Sequence, residues 1–98
     1  MPVLVVLDRD GIGVAEHEAL RARVGWEEDV PPGALFHVAA QTDDGMRAAG
    51  LWESAEAFQC FVADRLVPAA AELGIPGGPR VDLRPTVDVF TPGYQPHG

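Results

Sequence analysis

The sequence predicts an α+β fold with the element order β-α-β-β-α-β. Three observations carry that expectation. The chain opens on an unbroken apolar run, an Asp-Gly pair sits between two apolar stretches, and two segments of helical spacing separate the strand-like ones. With 98 residues, 47% of them hydrophobic, the composition is that of one globular domain, here residues 1–90 followed by a loose tail at 91–98.

Residues 3–7 are apolar and rich in valine, and the run stops at Asp8-Arg9-Asp10-Gly11. An unbroken apolar strand is one buried on both faces, hence a central strand. Val14–Val24 follows as a helix with a thin stripe of Ala15, Ala19, Leu20 and Val24, and Gly25 stops it. The segment 25–33 holds Trp26, an acidic cluster and Pro31-Pro32, and is a loop. Ala34–Gln41 and residues 46–53 are strands joined by a hairpin through Asp44-Gly45. Ser54 is the N-cap of a second helix, with Glu56 placed favourably for the helix dipole. Its stripe runs Phe58, Phe61, Val62, Leu66, Ala69, Ala70 and Leu73. Pro68 lacks an N–H, so the helix kinks or restarts there, and Gly74 ends it. Residues 75–79 turn the chain into a last strand, 80–90, where Val81, Leu83, Val87 and Val89 alternate with polar residues.

That order fits the split βαβ, ferredoxin-like arrangement: an antiparallel sheet of strand order 4-1-3-2 with both helices on one face. Pro85 agrees, because a missing donor is tolerated on an edge strand. The helix-free face needs a cover, and a second copy of the chain is the simplest one.

The formal net charge is -8, and the chain has no lysine. This excludes a phosphate backbone and an anionic membrane surface as expected partners, since both are bound through clustered cations. One cysteine, Cys60, makes no intrachain disulfide, and it flanks an apolar helix stripe, where a buried, inert thiol is expected. The apolar start, residues 1–7, is too short for a signal peptide and continues into charge, so none is expected. A cytoplasmic protein is expected.

The chemistry concentrates on one face of the hairpin. With Asp44-Gly45 as the turn, His37 sits opposite Trp52. Leu35, Ala39, Gln41, Ala48 and Gly50 share their face, while Phe36, Val38, Ala40, Ala49 and Leu51 form a packing face. An imidazole, an amide, an indole and small residues that leave room suit a small-ligand pocket. His37 is the candidate general base, because its unperturbed pKa lies near neutrality; the competing reading is a hydrogen-bonded core or interface histidine. Trp52 is a sheet anchor or a ligand wall, and Trp26 a lid over the pocket or a plug against the sheet. Gln41 and Arg47 are candidates to hold a substrate oxygen, as is Arg84, although strand arginines commonly pair with surface carboxylates. Asp8 is a candidate base or a turn cap. Tyr94, in the tail, is a candidate to reach a neighbouring subunit.

Sharper motifs fail. Gly11-Ile12-Gly13 lacks the third glycine of a dinucleotide fingerprint, because position 16 is Glu16. His17-Glu18 begins like a zinc-protease helix, but Arg21 stands where the second histidine belongs. The histidines (His17, His37 and His97) are scattered along the chain, so neither a metal nor another cofactor is expected.

The run Trp52-Glu53-Ser54-Ala55-Glu56-Ala57-Phe58, with Phe61 beyond it, resembles the strand-to-helix joint of the dimeric α/β-barrel superfamily, and within it the antibiotic biosynthesis monooxygenase-like branch. Leu35-Phe36-His37-Val38-Ala39 and the Pro68…Gly74 pair add to a likeness covering most of residues 3–90. The resemblance implies a homodimer with a sheet-built pocket in each subunit. It also implies a small aromatic or polyketide-like ligand. Cofactor-independent monooxygenation, polyketide cyclisation and a non-catalytic carrier or structural role all occur on such a fold. Haem-binding relatives place their axial histidine in the second helix, which here has none, so haem is not expected.

Overall fold

The computed structural model describes residues 2–75 and 78–90. Its elements are β1 (Val3–Asp10), α1 (Val14–Val24), β2 (Ala34–Gln41), β3 (Gly45–Trp52), α2 (Ala55–Phe61), a π-helical turn (Val62–Leu66), α3 (Val67–Glu72) and β4 (Arg80–Pro85). The strands form one antiparallel sheet of order β2-β3-β1-β4, which is the expected 4-1-3-2 order read from its other edge. β1 is internal, and Pro85 closes the edge strand β4.

The helix ends follow their local chemistry. At the start of α1 the Gly13 N–H donates to the Glu16 carboxylate at 2.9 Å. At its end Gly25 adopts φ 69°, and its N–H donates to the Arg21 carbonyl at 3.0 Å. Ser54 caps α2, its hydroxyl accepting from the Ala57 N–H at 3.1 Å. The break expected at Pro68 takes the form of the π turn, in which the Val67 N–H reaches back to the Val62 carbonyl. The α-helix restarts at Val67 with proline in its first turn, where no donor is needed.

Strand alternation divides the sheet. Val3, Val5, Leu7 and Arg9 pair with Trp52, Gly50, Ala48 and Met46 on the helix-covered face. There Val5, Leu20, Trp52, Phe58, Phe61 and Leu66 form the buried core, closed by Ala69 and Ala70. Each large side chain removed from water contributes roughly 1.5–3 kcal/mol. The other face carries Leu4, Phe36, Val38, Ala49 and Leu51 without a helix over it, and Leu4 and Val38 are exposed. Of the β1 side chains only Val5 is fully buried within a single chain; Val3 and Leu7 on the same face are partly buried, so the burial expected on both faces is not reached.

Several expectations are corrected. The hairpin turns through Asp43-Asp44, not Asp44-Gly45: the Thr42 N–H donates to the Gly45 carbonyl at 2.8 Å, and the Thr42 hydroxyl accepts from the Gly45 N–H at 3.0 Å. His37 consequently pairs with Gly50 rather than Trp52, a shift of two residues that leaves it on the same face. A bulge between Ala34 and Phe36 sets Leu35 out of register and exposed, and Ala34 packs on the core instead. Ala15 and Ala19 face solvent, leaving Leu20 as the buried residue of α1. Cys60 is exposed, turned away from the stripe it flanks. The last strand ends at Pro85 rather than Phe90, because the Thr86 N–H and hydroxyl both turn to the Pro2 carbonyl, at 3.0 and 2.6 Å. The tail at 91–98, with Tyr94 and His97, lies outside the described residues.

Candidate ligand-binding site

α1 crosses the helix-covered face of the sheet and leaves a cavity of about 50 Å³ beneath it. Leu7, Leu20, Val24, Met46, Ala48 and Leu66 make its apolar wall. Its polar rim is Arg9, His17, Arg21 and His37, and Trp26 completes it. Leu66 belongs to the π turn, so that irregularity shapes the cavity directly.

Local folding places each rim residue. Gly25, in the left-handed conformation, turns the chain sharply at the end of α1 and brings Trp26 back over the sheet. The loop is then held by Arg65, which donates to the Asp29 carboxylate at 2.9 Å and to the Asp29 carbonyl at 2.5 Å. Arg21 pairs with Glu27 of the same loop. The Trp26 indole lies against the His37 ring, centroids 4.0 Å apart and planes at 56°, and 5.9 Å from the Phe61 ring. His17, one turn before Arg21 on α1, stacks nearly parallel to His37 with centroids 6.5 Å apart.

The charged side chains that line the cavity, Arg9 and Arg21, are both cations. Crowding by protein desolvates the His37 ring and pushes its pKa down to about 4, and the charges of His17 and Arg21 add to the effect. His37 keeps one side in water, which moderates that shift without reversing it. Desolvation also lowers the pKa of His17; Glu18 opposes this, and Arg21 and Arg9 reinforce it. At neutral pH the rim thus presents neutral imidazoles beside fixed guanidinium charge. A neutral imidazole has a free nitrogen lone pair and can accept a proton.

Of the residues expected at a site, the structure brings His37 and Trp26 together at the cavity. Trp52 lies in the core, 5.6 Å from Phe58 in an edge-on contact and 5.1 Å from Phe61, and does not line the cavity. Gln41 is exposed at the end of β2. Arg47 projects from the opposite sheet face, ion-paired to Asp8 at 2.7 Å, and Arg84 pairs with Asp82 at 2.9 Å. Sequence reasoning missed His17, Arg21 and Arg9. Their signal was present: His17, Leu20, Arg21 and Val24 follow helical spacing, and Arg9 continues the alternation of Val3, Val5 and Leu7. Among the described residues no group of three or more metal-ligating side chains gathers, and no helix is long and apolar enough to cross a membrane.

Neither a protein-family model nor a curated protein sequence matches the chain. Solved structures do. SnoaB, a cofactor-independent oxygenase from Streptomyces nogalater, is 20% identical with a TM-score of 0.64, over 90% of this chain and 94% of that one. A protein from Chloroflexus aurantiacus assigned as an antibiotic biosynthesis monooxygenase is 19% identical with a TM-score of 0.61, over 94% and 98% of the two chains. The chain has the antibiotic biosynthesis monooxygenase-like fold. A third monooxygenase-like structure is that of the ActVA-Orf6 monooxygenase of Streptomyces coelicolor, with nanaomycin D as its ligand. It is 23% identical with a TM-score of 0.53, over 92% of this chain and 91% of that one. The likeness spans nearly the whole of each chain, so it is a likeness of complete folds rather than of a shared motif.

Proposed function

We propose that this chain binds a planar aromatic or polyketide-like small molecule between α1 and the sheet, and acts on it as a cofactor-independent monooxygenase of secondary metabolism in the cytoplasm. The observation that carries the reading is the His37 imidazole, packed against the Trp26 indole at the wall of an apolar cavity and open to water on its other side. Monooxygenase-like structures, one described as a cofactor-independent oxygenase, support the reaction class.

As formed, the cavity is far smaller than the roughly 300–1,000 Å³ usual for ligand pockets. A planar ligand is admitted if Trp26 swings away with its loop, vacating a slot of aromatic shape between His37 and Phe61. In that slot His37 takes a proton from a carbon acid flanked by the aromatic system. The resulting carbanion reduces dioxygen. One oxygen atom ends on the carbon and the other leaves as water, converting a CH₂ to C=O. Apolar walls protect the carbanion from reprotonation by solvent. The same base would serve an aldol ring closure, which is the cyclase alternative; a carrier would bind without turnover.

The helix-free sheet face, with Leu4 and Val38 exposed beside Phe36 and Leu51, supports a homodimer in which a second copy covers it. Sedimentation at high micromolar concentration tests this; a clean monomer refutes it. For the reaction, oxygen uptake on a hydroxylated anthrone is measured without added cofactor. Turnover by the wild type and its loss in a folded His37→Ala variant are expected. Equal rates in the two proteins overturn the role of His37. Binding without oxygen uptake leaves the carrier.

A further inference from the structure

The cavity carries a second feature, which names the charge of its ligand. The chain has seven arginines. Six have an acidic partner: Arg21 with Glu27, Arg23 with Glu72, Arg47 with Asp8, Arg65 with Asp29, Arg80 with Asp10 and Arg84 with Asp82. Arg9 has none among the described residues, and the residues outside them contribute no Asp or Glu side chain. Its neighbours in sequence, Asp8 and Asp10, point to the opposite face of the sheet and are taken by Arg47 and Arg80. In a chain with more than twice as many acidic residues as basic ones, an arginine left single is a matter of position and not of supply. That position is the rim of the cavity, half-buried, where desolvation lowers the pKa of the guanidinium from its ordinary value. It remains a cation there. The cavity lining includes no acidic residue at all.

A half-buried cation that faces an apolar space with no counter-charge is destabilising in the empty protein and stabilising once an anion arrives. The planar guanidinium fork matches two oxygens of a carboxylate, or one ionised phenol and a neighbouring carbonyl. Resting on the reading of this cavity as an aromatic site, we propose that Arg9 is its anion-holding residue. The ligand then carries a negatively charged oxygen, a carboxylate or an ionised phenol, attached to its aromatic body. Arg9 fixes the ligand's orientation by holding that oxygen on the β1 side of the rim, while His37 on β2 faces the ring.

The probes are 2-naphthoate and its neutral isostere 2-naphthamide, titrated calorimetrically into the full chain at low ionic strength. The wild type should bind naphthoate at least tenfold more tightly than naphthamide. Arg9→Met, which keeps an apolar stem of similar length, should remove that preference and leave naphthamide affinity within about twofold. Arg9→Lys should retain part of the preference. Equal affinity of the wild type for the two probes overturns the anion assignment and leaves the aromatic site standing. A preference that survives in Arg9→Met overturns the role of Arg9. If neither probe binds the wild type, the cavity is not an aromatic site, and both readings fall. Should Arg9→Met not fold, the wild-type comparison and Arg9→Lys still decide.

Discussion

Replacing Gly45 by alanine should be among the most damaging small substitutions in this protein, for a reason that can be read as a distance. A Cβ built at Gly45 would stand 2.0 Å from the Arg9 carbonyl oxygen and 3.0 Å from the Asp10 Cα. Ordinary contact begins near 3.4 Å, so β1 and β3 would have to part by about 1.4 Å at this point. The obstacle is backbone, which cannot rotate aside as a side chain would. Parting the strands breaks the pairing of Asp10 with Gly45 and strains that of Arg9 with Met46. It also disturbs the tie from the Gly11 N–H to the Asp44 carbonyl at 2.8 Å. One or two lost backbone hydrogen bonds plus overpacking amount to about 2–4 kcal/mol. That is a large share of the roughly 5–15 kcal/mol that holds a small domain together, and it lowers the melting temperature by about 10–25 °C. Gly11→Ala is the control. Gly11 has φ 79° but nothing within 4 Å of its added Cβ, so only backbone strain of about 1 kcal/mol is expected. Urea unfolding followed by tryptophan fluorescence compares the two. A Gly45→Ala midpoint no lower than that of Gly11→Ala would refute the steric account.

Ser54→Ala removes the α2 cap and should cost about 1 kcal/mol in the same urea assay. His37 has a folded pKa below its unfolded one, so the unfolded chain binds more protons between about pH 4 and 6.5. The stability it contributes is therefore complete above pH 6.5 and is lost as the pH falls toward 4; an imidazole NMR titration with a midpoint at or above 6.5 would contradict this. Trp26→Ala, removing a half-buried indole, should cost about 1–3 kcal/mol and tighten naphthoate binding, because the slot no longer has to be vacated; weaker binding would show the indole to be a ligand wall instead. Val38→Glu places charge on the helix-free sheet face and should convert the proposed dimer to a folded monomer, read by sedimentation.

The elements were legible wherever a residue's chemistry acts locally. Gly25 stops α1, Ser54 caps α2, and Pro85 sits on an edge strand because each effect is complete within a turn or a ladder position. Register was less legible. The Asp-Gly pair suggested a turn on Gly45, yet the glycine is there for close approach to β1, a long-range fact that no hairpin rule contains. The face assignment of His37 survived, because the pairing moved by two residues and side chains alternate with period two. The cavity's basic rim was hidden for a different reason. An apolar run draws attention to Val3, Val5 and Leu7, so Arg9 read as the end of the strand rather than as its next inward-facing position. His17 and His37 are twenty residues apart and meet only because α1 lies across β2 and β3.

The π turn at Val62–Leu66 has a consequence for chain length. Phe58 and Phe61 lie three apart, Leu66 follows after five, and Ala69 and Ala70 after three and four more, all buried. An unbroken α-helix would carry Arg65, the fourth residue after Phe61, toward the sheet; the wide turn absorbs one surplus residue and brings Leu66 there instead. Ala63 and Asp64 are exposed, so the surplus is spent on the solvent side. The helix is thus one residue longer than its contact with the sheet requires. Deleting either Ala63 or Asp64 would leave Phe58, Phe61, Leu66 and Ala69 on one regular stripe, with Pro68 as the remaining obstacle to smooth winding. Helix length in this fold is open to change at that turn, and Leu66, the one cavity residue it carries, would move along the helix axis with any such change.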